Sequence, residues 1–138
     1  MIDSLITLPP DDPNAVFVFG SNEAGIHGAG AARYARVHYG AQPGIGFGQT
    51  GDAFAIPTMN GHFSPLKLAD IRTYVARFLV EASLHPERTY YVTPIGCGIA
   101  GFLPSEIAPL FTNAPANVRL PDAFTAVLTP PPTEEVRS

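Results

Sequence analysis

Ala15-Val-Phe-Val-Phe19 runs without a break into Gly20-Ser-Asn-Glu-Ala-Gly-Ile-His-Gly-Ala-Gly-Ala-Ala32, and the reading of this junction decides the fold class. The first five residues form a short apolar run between Pro13 and Gly20, the pattern of a strand buried on both faces. The glycine-rich stretch opens into Gly28 to His38. There Ala31, Tyr34, Ala35 and His38 recur at helical spacing until Gly40 stops them.

The same alternation continues down the chain. Ala53 to Ile56 predicts a second short strand, ended by Pro57. Leu66 to Ser83 predicts the longest helix, with Ile71, Tyr74, Val75, Phe78 and Ala82 in one apolar stripe. Lys67, Asp70, Arg77 and Glu81 fall elsewhere on its surface. Beyond Pro86, Thr89 to Thr93 reads as a strand rich in aromatic and β-branched residues. A helical turn is expected over Pro104 to Ala108, cut by Pro109, and an edge strand over Ala123 to Leu128. The class is therefore α/β, layered, with helices on both faces of the sheet. Residues 1–128 are expected to form one domain and 129–138 a flexible tail.

Composition narrows the function classes. With 46% hydrophobic and 14% charged residues, the chain has the balance of a globular domain and not of a disordered one. Its net charge of −4 provides no broad electrostatic footing on a nucleic-acid backbone. A phosphorylated ligand would have to be held largely by backbone N–H groups and helix N-termini. The one cysteine, Cys97, excludes an internal disulfide framework and fits a reducing compartment. No stretch approaches the roughly 18 apolar residues of a membrane span. A soluble cytoplasmic protein with no membrane partner is the expectation. No Cys/His cluster has metal-ligand spacing, so neither metal nor cofactor is expected.

Two segments carry chemistry. Gly20 to Ala32 follows a strand and precedes a helix, where glycines admit a ligand close to the backbone. It lacks the Gly-Lys-Ser/Thr ending of a Walker loop. Arg33 stands where a dinucleotide-binding fingerprint would need its third glycine. Thr93-Pro-Ile-Gly-Cys-Gly-Ile-Ala-Gly-Phe-Leu-Pro104 repeats the arrangement after a later strand. Two such loops facing each other over the carboxyl ends of neighbouring strands could hold the two phosphates of a diphosphate. Gly40 to Gly51 holds five glycines and reads as a lid or as a plain connector.

Asn22 to Ala32 resembles the first ligand loop of macrodomains, which wraps a distal ribose and diphosphate. Ile95 to Pro104 resembles their second phosphate loop, with Phe102 as the aromatic that packs on the distal ribose. His27-Gly-Ala-Gly-Ala-Ala and Ile95-Gly-Cys-Gly are similar to the branch of DNA ADP-ribose glycohydrolase antitoxins and terminal ADP-ribose hydrolases. The resemblance implies a three-layer macrodomain-like mixed sheet. It implies ADP-ribose or a related nucleotide as ligand, and an ADP-ribosylated macromolecule as a further partner. The implied ligand-binding residues are Asn22, Gly28, Ala29, Gly30 and Ala31 from the first loop. From the second they are Gly96, Cys97, Gly98, Ile99, Ala100, Gly101 and Phe102.

Departures from that branch bear on activity. Met59 stands where the resemblance places a catalytic lysine, and a thioether cannot serve as an amine nucleophile. Ala100 stands where an acid is common, and the chain's single lysine, Lys67, lies on another segment. None of Asp3, Asp11 and Asp12 matches the aspartate that reads adenine. A binding module is the expected function. The alternative is a glycohydrolase that does not use lysine, with Asn22, Glu23, His27 and Asp52 as catalytic candidates. For each there is a plainer role: Asn22 as a loop-tying amide, His27 as a solvent-facing histidine, Glu23 and Asp52 as solvated charges. Cys97 is either a nucleophile or simply a small residue that lets phosphate approach.

Overall fold

In the segment Ala15–Asn22 (β1), side chains alternate between two apolar layers. Phe17 and Phe19 point into one and Val16 and Val18 into the other, and Phe17, Val18 and Phe19 are wholly buried. A strand with both faces covered belongs in the middle of a parallel sheet, and β1 lies there. The computed structural model describes residues 8, 9 and 11–129. Its elements after β1 are Gly30–His38 (α1), Gly48–Thr50 (β2), Ala53–Met59 (β3), Leu68–Leu84 (α2) and Thr89–Val92 (β4). Pro104–Ile107 (α3), a 3-10 turn at Ala108–Phe111, Val118–Arg119 (β5) and Asp122–Leu128 (α4) complete the chain. The sheet runs β2-β3-β1-β4-β5, with β2 antiparallel to β3 and every other pairing parallel. This is a mixed five-stranded α/β sheet.

The two apolar layers draw on different helices. Ala32 and Ala35 of α1 pack with Phe17, Phe19, Ala53 and Ala55. Ile71, Val75, Phe78 and Ala82 of α2 pack with Val16, Val18, Phe54 and Ile56, joined by Ile107 of α3 and Phe124 of α4. The stripe expected on α2 is thus the buried one, with Tyr74 half-exposed at its margin. Phe78 meets the rings of Phe54, Tyr90 and Phe111 nearly edge-on, a favourable aromatic geometry.

Two expectations are corrected. β3 does not stop before Pro57. The strand passes through it because the register with β1 slips by one residue between Ser21 and Asn22, so that Thr58 is the extra residue of a bulge. A bulge accommodates a residue with no N–H to donate. Ala123 to Leu128 is no edge strand but lies in helix α4. Pro121 sets the entry in extended conformation, and Asp122 falls in the first turn. Phe124, Val127 and Leu128 then recur at helical spacing on the core. The edge is taken by the two residues of β5. The tail beyond residue 129 and Asp3 lie outside the described residues. Among the described residues, no helix is long and apolar enough to cross a membrane.

Candidate functional site at the carboxyl edge of the sheet

Parallel β1, β3 and β4 bring their carboxyl ends to one edge. From β1 the chain leaves for α1 on the Phe17 and Phe19 face. From the adjacent β4 it leaves for α3 on the Val16 and Val18 face. Neighbouring strands whose chains depart to opposite faces leave a crevice between them, the place where open α/β sheets take ligands. Gly20 forms its floor. A Cβ there would lie 3.4 Å from Thr58 Oγ1, 3.5 Å from Ile95 Cβ and 3.6 Å from the Gly96 nitrogen, so three strand ends close on this one glycine. Thr93 ties β4 to β1, both its N–H (3.0 Å) and its hydroxyl (2.8 Å) donating to the Val18 carbonyl.

The first loop is held from within and from below. The Asn22 amide is a loop tie: its Nδ2 donates to the Ile26 carbonyl (2.8 Å), and its Oδ1 accepts from the Ile26 N–H (3.1 Å). Gly40 to Gly51 is a brace and not a lid. The Gly44 N–H donates to the Gly25 carbonyl (2.9 Å), the Ser21 hydroxyl donates to the Gly46 carbonyl, and Gly46 has no room for a Cβ within 2.6 Å of the Asn22 oxygen. His27, expected to face solvent, is only 3% exposed. Its ring stands edge-on to Phe19, and its Nε2 lies 3.2 Å from the Ile45 carbonyl. Burial, opposed in part by that bond, holds its pKa below the ordinary 6.5, with Arg36 adding to the depression.

Beyond His27 the loop opens. Gly28, Ala29 and Gly30 are exposed, and α1 starts with no side-chain cap and no acid in its first turn. The leading N–H groups of a nine-residue helix therefore face outward with the positive end of its dipole. The second loop ends differently. Phe102 N–H donates to the Gly96 carbonyl (2.8 Å) and Gly101 N–H to the Gly98 carbonyl (3.0 Å), closing a tight arc. The Glu106 carboxylate accepts from the Leu103 N–H (2.8 Å), so the start of α3 already has its anion. Any anion at this loop is left to the N–H groups of the arc itself. Phe102 is half-buried against the core, while Ile99 is 75% exposed.

Of the acid and base candidates, the fold keeps one at the rim. Glu23 accepts a 2.7 Å hydrogen bond from the Tyr74 hydroxyl of α2, and its own N–H donates to the Met59 carbonyl (2.9 Å). That carboxylate pushes the Tyr74 phenol above its ordinary pKa. Tyr74 was not marked by its sequence, since 51 residues separate the pair. Met59 lies at the carboxyl end of β3 opposite Asn22. Asp52 is not brought to the site. It precedes β3 at the amino end of the parallel strands, where its backbone joins Tyr39 and Phe17. Among the described residues, no three His, Cys, Asp or Glu side chains converge as metal ligands.

Cys97 is poorly placed as a nucleophile. Burial, and then the Glu106 carboxylate, push its thiol up from the ordinary value, which leaves little thiolate at neutral pH. Alkylation by iodoacetamide at pH 7 is expected to run several-fold slower than that of a free cysteine, a rough figure from the thiolate fraction. A rate above the free thiol's would restore the nucleophile reading.

A groove of about 550 Å³ lies elsewhere, between α4, β5 and the 3-10 turn, lined by Phe111, Val118, Leu120 and Leu128 among others. Arg119 is its one charged lining residue, and neither glycine loop reaches it. Compared with protein-family models, curated proteins and solved structures, the chain gives no match.

Proposed function

We propose that this chain is a macrodomain-like module, with the three-layer arrangement of that fold, which binds ADP-ribose or a nucleotide containing it. One observation carries the reading. Gly28 and Gly98 have ordinary φ angles and nothing within 4 Å of where a Cβ would stand. Neither conformation nor packing calls for glycine at either position, whereas close approach of a diphosphate to the backbone does. The uncapped start of α1 supports it from one side of the crevice, and from the other the Gly98, Ile99 and Ala100 N–H groups, which the bonds closing the arc do not use. Calorimetric titration with ADP-ribose, ADP, NAD and AMP tests the proposal. ADP-ribose is expected to bind most tightly, and no heat with any of the four rules it out.

The hydrolase alternative has one observation in its favour: Glu23 stands at the rim, its N–H bonded to the Met59 carbonyl and its carboxylate to the Tyr74 hydroxyl. Against it stands the missing amine. The protein is expected to release ADP-ribose from modified DNA slowly or not at all. Met59→Lys is expected to gain release activity, since lysine is close to methionine in length and the strand end is already built. Met59→Lys with Ala100→Asp is expected to gain more by supplying an acid. Single-turnover release assays check both. Brisk release by the unmodified protein that survives Lys67→Ala contradicts the expectation.

A further inference from the structure

His27 joins three elements, and none of them brings an acidic group that would balance a charge on its ring. The Ile45 carbonyl can only accept, so the proton sits on Nε2 and the lone pair on Nδ1. That Nδ1 is buried with no hydrogen-bond partner. The ring stands against Phe19 of β1, which carries no charge. The brace contributes only the neutral Ile45 carbonyl. From α1 comes Arg36, whose Nε donates to the His27 carbonyl (3.1 Å), so the nearest charged group is a cation. A proton added at Nδ1 would have no acceptor, and the Arg36 charge would oppose the one it brings. Such a group leaves its pocket rather than charge inside it.

We propose that His27 is a positioning residue, a proton-sensitive latch that holds the Asn22–Gly30 loop on the Gly44–Gly46 brace and releases it in acid. What the latch positions is the open start of α1, so its effect on affinity rests on the ADP-ribose reading. The sign follows from the depressed pKa. The opened loop, with an ordinary imidazole, binds the proton more readily than the closed one. The stabilisation of the closed loop is therefore fully present above about 6.5 and diminishes as pH falls toward the lower value of the closed form. In that window the open fraction rises as pH falls, by at most about tenfold per pH unit for a single proton.

Two measurements test the latch, the first of them without any ligand. Amide exchange over residues 22–30 and 41–46 of the unliganded protein, corrected for intrinsic rates, is followed from pH 7.5 to 5. Opening is expected to be constant at the upper end and to climb below about 6.5, with exchange in α2 unchanged. ADP-ribose affinity, whose diphosphate keeps its charge over this range, is expected to fall in the same window. His27→Gln, which keeps a donor for Ile45 and cannot titrate, is expected to flatten both profiles. Exchange independent of pH in the wild-type protein overturns the latch whether or not the variant folds. So does a His27 ring titrating at the ordinary value. Absence of ADP-ribose binding at pH 7.5 counts against the ligand reading alone, and the exchange profile still decides the latch.

Discussion

Replacing Gly28 or Gly98 by glutamate is expected to lower ADP-ribose affinity about a hundredfold without moving the melting temperature. The fold tolerates both changes, because each new side chain starts into open space from a backbone that any residue can adopt. Two like charges about 4 Å apart at an effective dielectric near 20 repel by roughly 4 kcal/mol, about a thousandfold in affinity. Solvent screening at this exposed edge brings the expectation down to the hundredfold range. Gly30 is the poorer choice. Its φ of +59 lies in the left-handed region, so a loss of binding there could come from strain. Calorimetry beside thermal melts separates the two effects. Wild-type affinity in both folded variants removes the diphosphate from these loops. Gly28→Ala and Gly98→Ala should give a smaller loss at the same stability, from bulk alone.

Those glycines could be singled out from sequence because glycine after a strand and before a helix has few roles. The core was legible for a similar reason. The apolar run of β1 and the stripe of α2 each have one period that fits, and the strands they imply fall in the expected places. Where local cues conflicted, tertiary packing decided. Ala123 to Leu128 holds β-favouring Phe, Thr and Val, but the spacing of Phe124, Val127 and Leu128 matches a helical face, and the core rewards that face. Pro57 looked like a stop because the compensating bulge involves a strand more than 30 residues away.

The chemistry of individual side chains was far less legible. Asn22 could be drawn as a ribose ligand or a loop tie until the Ile26 backbone was seen on both ends of its amide. His27 read as solvent-facing because its partner Ile45 is 18 residues on, in a stretch whose glycines suggested mobility. Those glycines serve close packing instead. Asp52 drew notice by lying near Met59 in sequence, yet the seven residues of β3 separate them by roughly 20 Å. Proximity along a strand is distance across a sheet.

Gly25→Ala is expected to do what the glutamate substitutions do not, and unseat the loop from below. Gly25 has φ +72, and a Cβ there would overlap the backbone of Gly44 and Ile45, with Gly44 Cα only 2.8 Å away. All of these contacts are with backbone atoms, so no side chain can turn aside and the backbone itself must move. The left-handed conformation costs an alanine about 1–2 kcal/mol, and the overlap adds at least as much, for a loss of roughly 3 kcal/mol. Relief is available in one direction. The brace can lift off the first loop, breaking the Gly44–Gly25 bond and carrying Ile45 away from His27. The expected result is a protein with the sheet and α2 protected as before and rapid amide exchange over 22–30 and 41–46 at neutral pH. Affinity for ADP-ribose should fall with it, although Gly25 is buried where Gly28 is exposed. Gly28→Ala, with nothing near its Cβ, is the control, because it should leave exchange in both segments unchanged. Wild-type exchange in Gly25→Ala would mean that the brace does not set the loop. The open start of α1 would then owe its position to the Asn22 amide and the Arg36 bond alone.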